Sequence, residues 1–212
     1  MAETRQRLIH AARGMFSSRG YAESSMEDIV AEAGVTRGAL YHQFGGKPAL
    51  LEAVIEQIDE EMDERRSEMS QNADSSWGAF VSSIVSYVMM ATEPEVQRIV
   101  LLDGPAVLGD PSQWRIHRSC IRNTLEQLEA LAEEGVLSTK NFDPEATANI
   151  ISSAALGASN WVANSDDPQT ASQRVAASFS ALLHGLLDPN QSGMVVEPDA
   201  NARFTNVKRI ER

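Results

Sequence analysis

Side chains that could bind nucleic acid are concentrated in residues 36 to 47, the stretch TRGALYHQFGGK. Arg37 carries a planar fork of donors that could form two hydrogen bonds with a guanine edge, although it could instead be a solvated surface residue. Ala39 could contact a thymine methyl group, and Gly38 would let the backbone come close to a groove. The chemistry that this stretch predicts is direct contact with the bases of double-stranded DNA.

A second group of side chains could hold the phosphate backbone. Tyr41, His42 and Lys47 can each donate a hydrogen bond to a phosphate oxygen, which fixes register without reading sequence, although His42 could equally pack between helices. Ser24 or Ser25 would begin a helix whose bare N–H groups could bind a phosphate, but simple capping explains either serine as well. The predicted DNA-binding residues are Ser24, Ser25, Thr36, Arg37, Gly38, Ala39, Tyr41, His42 and Lys47.

Two short helices joined by a tight turn are predicted to position these side chains. Apolar residues recur at spacings of three and four between residues 26 and 33, the pattern of a helix with one buried face. Gly34 allows the positive φ that ends a helix, and Thr36 can cap the next one. Leu40 and Phe44 form the buried face of this second helix, so its polar residues point outward. The arrangement predicts a helix-turn-helix whose second helix enters the DNA major groove.

The distribution of charge limits DNA contact to the N-terminal segment. The 212 residues carry a formal net charge of -12, which is unusual for a protein that binds nucleic acid. Residues 1 to 50 hold six basic and five acidic residues, whereas residues 51 to 212 hold twelve and twenty-five. Such a split predicts two domains with different partners, because the acidic part repels phosphate.

The rest of the chain has the pattern of helices separated by glycine, proline and polar breaks, without an alternating strand pattern. We therefore predict an all-α fold, with a three-helix DNA-binding domain over residues 1 to 47 and a helical ligand-binding and dimerisation domain over 48 to 187. A loosely ordered tail is expected over residues 188 to 212. One helix is expected over residues 3 to 18, two short helices within 25 to 47, and a long helix from 47 to 69. Further helices are expected over 75 to 90, 93 to 103 (ended by Gly104 and Pro105), 111 to 134, 143 to 164 and 168 to 187.

The sequence excludes several classes of protein. Cys120 is the single cysteine, so an internal disulfide and a multi-cysteine zinc site are both excluded, and neither a metal nor a cofactor is predicted. The sequence contains neither a nucleophile elbow, a phosphate-binding loop nor a paired-histidine zinc motif, so an enzyme is not expected. The uncharged segments 75–92 and 146–165 are rich in Ser, Asn and Thr, which predicts buried helices and no membrane partner. The N-terminus has no signal-peptide pattern, so a cytoplasmic location is expected.

Aromatic and methionine residues of the middle helices could line a regulatory pocket, although core packing is the simpler interpretation for most of them. Trp114, His117 and Trp161 are favoured because each joins an apolar body to a polar group, and so does Asn160. Few charges fall among these positions, so a largely apolar or aromatic effector held by a few hydrogen bonds is predicted. A carboxylate could instead be bound by three arginines on one helix face, although pairing with the acidic surface is the simpler interpretation for them: Arg115, Arg118 and Arg122. The predicted ligand-binding residues are Phe80, Tyr87, Met89, Met90, Trp114, His117, Asn160 and Trp161.

The last two predicted helices carry broad apolar faces that include small residues. Such a pair could pack against its own copy as a four-helix dimer interface, or could only complete the core of one protomer. We favour the dimer because a helix-turn-helix unit normally reads two half-sites. The predicted interface residues are Ile151, Ala155, Ala158, Val175, Phe179, Leu182, Leu183 and Leu186.

A set of positions with specific spacing lies between residues 5 and 55. The positions are Phe16, Gly20, Tyr21, Ile29, Ala33, Gly34, Val35, Gly38, Leu40, Tyr41, Phe44, Lys47, Leu50 and Leu51. Through them the sequence resembles the tetracycline-repressor (TetR) family of transcriptional regulators. The resemblance implies a homodimer that leaves DNA on binding a small molecule. The DNA contacts it implies are Thr36, Arg37 and Ala39 to bases, Tyr41 and His42 to backbone or bases, and Lys47 to a phosphate.

These observations predict a sequence-specific DNA-binding regulator, most simply a repressor that a small-molecule effector releases from a (pseudo)palindromic operator. In the predicted mechanism the effector pushes on the long helix from Lys47 to Met69, whose acidic residues, Asp59 among them, are expected to form a solvated face. Two alternatives are a helical DNA-binding or coregulatory protein without small-molecule control, and a helical enzyme whose histidines assemble in space.

Overall fold

The computed structural model describes residues 2–138 and 142–188, so the tail predicted over residues 188 to 212 lies outside the described residues except for its first residue. The described part is predominantly helical, which confirms the predicted all-α fold. Its β structure is limited to an isolated antiparallel bridge between Leu137 and Leu187. The helices are α1 Ala2–Arg19, α2 Met26–Glu32, α3 Arg37–Phe44, α4 Lys47–Gln71, α5 Ser76–Met90, a π-helix Val96–Asp103, α6 Gly104–Leu108, a 3-10 turn Pro111–Gln113, α7 Arg115–Glu133, α8 Pro144–Ala163 and α9 Pro168–His184.

Local capping chemistry sets the bounds of α2 and α3. The Ser25 hydroxyl accepts a hydrogen bond from the Asp28 N–H at 3.0 Å, and the Thr36 hydroxyl accepts one from the Ala39 N–H at 3.2 Å. Each bond satisfies a donor that a helix N-terminus otherwise leaves without a partner. Gly45 has φ of 74°, in the left-handed region that glycine adopts without strain, and it ends α3.

One apolar core runs through the described helices, and α4 lies along it. At its N-terminal end, Leu8, Phe16, Ile29 and Leu40 are completely buried where α1 packs against α2 and α3. Towards its other end, α5 packs against α4, α8 and α9, and α7 packs against α8. Helix α4 contacts both α1 and α5, so it links the two ends of the core.

The helix predicted over residues 93 to 103 differs from the observed one. The observed segment is a π-helix that ends at Asp103, but Gly104 and Pro105 do not end the helical structure, because they begin α6 without a break. Proline lacks an N–H, but the first turn of a helix has no intrahelical acceptor for that donor, so Pro105 is compatible with a helix start. A Cβ on Gly104 would lie 2.7 Å from the Trp114 ring, so this glycine serves close packing rather than termination.

Two further helix ends differ from the prediction. The helix predicted to begin at Pro111 is interrupted, since the 3-10 turn is followed by an extended Trp114 before α7 starts. Helix α9 ends at His184, and Leu187 instead forms the bridge with Leu137. None of the helices in the described ranges is long and apolar enough to cross a bilayer.

Candidate nucleic-acid interface and internal cavity

The outer face of α3 brings together most of the predicted DNA-binding residues. Leu40 anchors the helix in the core with no exposed surface, so the opposite face is presented to solvent. A short helix with one buried anchor and a polar outer face is the geometry that enters a major groove. The predicted residues on this face are Thr36, Arg37, Gly38, Tyr41 and His42, which are exposed, and Ala39, which is half-buried.

The Arg37 guanidinium lies between two neighbouring side chains. Its Nη1 donates to Glu27 Oε1 at 2.7 Å and its Nη2 donates to Tyr41 Oη at 3.4 Å. The hydrogen bond to Tyr41 and the charge of Glu27 raise the pKa of Arg37 further above its usual range, so the side chain is cationic. The Arg37 and Glu27 side chains are 60% and 62% exposed, so solvent screens their attraction and a DNA acceptor can replace Glu27.

Lys47 lies at the first position of α4. Its Nζ is 4.1 Å from the Tyr21 ring centroid, and it donates to the Ala22 carbonyl oxygen at 3.5 Å. Burial lowers the pKa of Lys47, and the charges of Asp103 and Glu23 oppose that change. These contacts hold the ammonium group beside the turn that leads into α2, where it could donate a hydrogen bond to a phosphate.

The structure corrects the prediction for Ser24. Its side chain is completely buried, and its hydroxyl donates to the Gly20 carbonyl oxygen at 2.7 Å within the turn between α1 and α2. Ser24 therefore cannot reach a phosphate, whereas Ser25 is half-buried at the N-cap of α2. The sequence could not separate the two serines, because both fit the capping pattern and only the turn geometry distinguishes them.

An internal cavity of about 40 Å³ lies between α4, α5, the π-helix, α7 and α8, and it opens to solvent. The predicted ligand-binding residues that line it are Tyr87, Trp114, His117 and Asn160. Those that the structure places elsewhere are Phe80, Met89, Met90 and Trp161. Phe80 and Met90 are each 1% exposed within the core, and Trp161 is 50% exposed on the outside of α8. Phe80 and Met90 therefore pack in the core, which was the simpler interpretation for most of these residues.

The cavity also uses residues that sequence reasoning missed. The side chains contributed by α4 and by the π-helix are Ile55, Asp59, Met62, Val96, Val100 and Leu101. Asp59 was expected on a solvated face, and its position in the cavity wall corrects that expectation. A signal was present, because Asp59 follows Ile55 by four residues and precedes Met62 by three, which places all three on one helix face.

Burial governs the ionisable groups of the cavity. Desolvation raises the pKa of Asp59 and Tyr87 and lowers that of His117, and each change favours the neutral form. Trp114 Nε1 and Ser159 Oγ are buried without a hydrogen-bond partner among the described residues. The cavity can therefore offer an apolar ligand a few directed polar contacts. Within residues 2–138 and 142–188 no three His, Cys, Asp or Glu side chains are grouped as metal ligands would be.

Polar contacts join two walls of the cavity to the DNA-binding helices. Immediately before the π-helix, Glu95 pairs with Arg13 of α1 at 2.8 Å, and Arg13 also pairs with Glu61 of α4 at 2.5 Å. At the end of the π-helix, Asp103 Oδ2 accepts a hydrogen bond from the Tyr21 N–H at 2.8 Å. Hydrogen bonds to Glu95 and then Glu61 raise the pKa of Arg13. Both α4 and the π-helix are therefore bonded to the DNA-binding domain.

The predicted dimer residues divide between the core and the surface. Those buried within the protomer are Ile151, Ala155, Phe179 and Leu183, those half-buried are Ala158, Val175 and Leu186, and Leu182 is 74% exposed. The buried four cannot meet a partner, which corrects their assignment. The two helices do carry an exposed apolar surface formed by Ile150, Ala154, Trp161 and Leu182, here called the α8–α9 surface. Its largest members, Ile150 and Trp161, are 68% and 50% exposed.

A helix-turn-helix with an outward polar face, joined to a helical domain whose cavity walls contact it, defines a DNA-binding transcriptional regulator. Residues 8–54 match the family of bacterial regulatory proteins called tetR, and residues 77–186 match the tetracyclin repressor-like C-terminal domain. The chain belongs to the TetR family, as its resemblance predicted. Members of this family are transcriptional regulators rather than enzymes.

Individual relatives agree with this assignment. The chain is 31% identical over 102 residues to the HTH-type transcriptional regulator SrpR of Pseudomonas putida, covering 48% of this chain and 47% of SrpR. It is 44% identical over 54 residues to the HTH-type transcriptional regulator TtgR, also of Pseudomonas putida, 26% of each chain. The match thus spans about half of SrpR and a quarter of TtgR. The crystal structure of the TetR-family regulator ECA1819 from Pectobacterium atrosepticum aligns with a TM-score of 0.80 at 44% identity, covering 88% of this chain and 95% of that one.

Proposed function

We propose that this chain is a ligand-responsive, sequence-specific DNA-binding regulator that acts as a homodimer. In this proposal it represses transcription until a small, largely apolar or aromatic effector releases it from a (pseudo)palindromic operator. The observation that carries the proposal is that α4 and the π-helix both line the cavity, and that Glu61 of α4 and Glu95, the residue before the π-helix, both pair with Arg13 of α1. A ligand in the cavity can therefore bias the position of the DNA-binding helices.

In the DNA-bound state, α3 of each protomer would lie in a major groove. Arg37 and Ala39 would contact base edges, while Tyr41, His42 and Lys47 would hold phosphates. The two copies of α3 would be about 34–36 Å apart, the spacing of successive major grooves on one side of the duplex. The α8–α9 surface would set this spacing by pairing with the same surface of a second copy as a four-helix interface.

In the released state, effector binding would move α4 and the π-helix and thereby change the spacing of the two recognition helices. The π-helix adds a route to the one that the sequence predicted through α4 alone. A coupling of about 1–3 kcal/mol between the two sites gives a 5- to 150-fold change in DNA affinity, which is enough for a switch.

Replacing Glu95 with glutamine is expected to weaken the effector response about two- to fivefold, because it removes the charge from a partly exposed ion pair between the π-helix segment and Arg13. The measurement is the ratio of operator affinities with and without effector. The matched control is Glu61→Gln, which weakens the other ion pair of the same arginine. We expect the smaller effect there, since α4 also reaches the DNA-binding domain through its own continuous backbone. A larger effect of Glu61→Gln would show that the effector acts on the DNA-binding domain mainly through α4 and not through the π-helix.

The experiment that tests the proposed function is selection of bound DNA from a random pool, followed by release with a library of small molecules. We expect a palindromic sequence with half-sites one helical turn apart, and release by compounds that bind the protein in calorimetry. A ligand that binds tightly in the cavity and leaves operator affinity unaltered would favour the alternative, a DNA-binding protein without small-molecule control.

A further inference from the structure

Three carboxylates on one side of α4 differ in their partners. Glu56 accepts from Arg115 Nη2 at 2.5 Å, and Asp63 pairs with Arg66. Asp59 lies between them, three residues after the first and four before the second. It makes neither an ion pair nor a hydrogen bond with any of the described residues. The middle carboxylate is thus the one without a direct ionic partner, and the more distant charges of Arg66 and Arg115 offset only part of the cost of its burial.

Asp59 is also the one that faces the cavity. Within the part of the chain that the structure describes, the cavity wall includes neither a lysine nor an arginine, and Asp59 is its one acidic residue. Around it the wall is apolar or aromatic, with the rings of Tyr87 and Trp114 and the side chain of Met62. Burial raises the pKa of Asp59, so its surroundings oppose its negative charge. A positive charge placed beside the carboxylate would reverse that cost.

An anionic ligand finds neither a lysine nor an arginine in the described wall of the cavity. The Arg66 guanidinium lies outside that wall, with its Cζ 5.5 Å from the Tyr87 ring centroid, and its Nη2 is paired with Asp63. The Nε of Arg66 is buried without a partner among the described residues. The Asp59 carboxylate would repel an anion that entered the cavity. The net charge of -12 also attracts cations to the protein and repels anions from it.

We infer that this cavity selects an organic cation, whose ammonium group lies against Asp59 and whose apolar or aromatic body packs against Tyr87 and Trp114. The aromatic faces add to the selection, because a desolvated cation is attracted to the negative face of a ring. This inference rests on the proposed function, since it names the chemical class of the effector of that cavity.

The test compares three compounds of similar shape: benzyltrimethylammonium, its uncharged carbon analogue neopentylbenzene, and the anion phenylacetate. Binding to the full chain is measured by calorimetry. We expect the cation to bind roughly tenfold or more tightly than the neutral analogue, because a desolvated cation–aromatic contact acts together with the carboxylate. Phenylacetate is expected to bind more weakly than both. Equal affinities for cation and neutral analogue, tighter binding of phenylacetate, or no binding of any of the three would overturn the inference.

Variants test whether Asp59 is responsible for the preference for the cation. Asp59→Asn keeps the shape of the side chain and removes its charge, so it is expected to abolish the preference for the cation over neopentylbenzene. Glu56→Gln removes the same charge one turn away, from a carboxylate already paired with Arg115, and is expected to preserve the preference. A preference that survives in Asp59→Asn would contradict the assignment of Asp59.

A DNA-release assay separates this inference from the proposed function. If benzyltrimethylammonium binds through Asp59 but leaves operator affinity unchanged, the cation site stands and the proposed effector response fails. If neutral cavity ligands release the operator while the cation preference is absent, the proposed function stands and the cation site fails.

Discussion

Replacing Ile150 and Leu182 together with glutamate is expected to make the protein monomeric and to weaken operator binding by about a hundredfold or more. Both side chains are large, apolar and mostly exposed, at 68% and 74%. In a twofold interface each substitution occurs twice, so four carboxylates would be brought together and desolvated. A monomer reads one half-site, so it loses most of the specific binding energy of two linked sites. Light scattering gives the mass and a titration of labelled operator gives the affinity.

The matched control adds the same charges to other faces of the same helices. Asn149 and Gln173 are exposed, and the first is turned about 100° from Ile150 by the helical repeat. Asn149→Glu combined with Gln173→Glu is therefore expected to remain dimeric and to bind the operator with nearly the original affinity. A dimeric Ile150→Glu/Leu182→Glu protein would show that the interface lies elsewhere, and a monomeric control would show that net charge rather than position is responsible.

The two helices of the helix-turn-helix and the exposed face of α3 could be predicted from the sequence because their signals are local. A cap such as Thr36 and a turn glycine such as Gly34 act within four residues of their own position, so their spacing bounds the helices directly. Ser24 was assigned wrongly because two adjacent serines fit the same capping pattern. Only the turn between α1 and α2 makes one of them donate to Gly20.

The cavity and the dimer surface depend on packing between distant segments, and sequence period alone left them undecided. Helix α8 is apolar on more than one face, so the sequence makes Ile150 and Ile151 equally plausible at an interface. In the structure Ile151 is buried within the protomer and Ile150 is exposed. The π-helix was missed for a related reason, since the periodicity used to find helices is that of an α-helix. Asp59 shows the same limit, because an acidic residue is assigned to solvent unless its helical neighbours are considered.

Replacing Arg37 with alanine is expected to weaken operator binding by roughly tenfold or more and to relax base preference at one position of each half-site. The variant removes the side chain on α3 best suited to two hydrogen bonds with a guanine, and it also leaves Glu27 unpaired near the DNA. Selection from a random pool, repeated with the variant, measures the change in base preference, and titration at several salt concentrations measures the affinity.

Two comparisons separate base reading from charge. Lys47→Ala is expected to weaken binding to all DNA sequences alike, because the Lys47 ammonium would contact a phosphate rather than a base. It should also lower the slope of log affinity against log salt concentration by about one. Arg37→Lys keeps the positive charge opposite Glu27 but loses the planar fork, so it should recover affinity for random DNA without recovering base preference. If Arg37→Lys recovered the full base preference, the two hydrogen bonds of Arg37 to a guanine would be contradicted and Arg37 would be assigned to a phosphate. Unchanged affinity in both Arg37→Ala and Lys47→Ala would remove α3 from the major groove altogether.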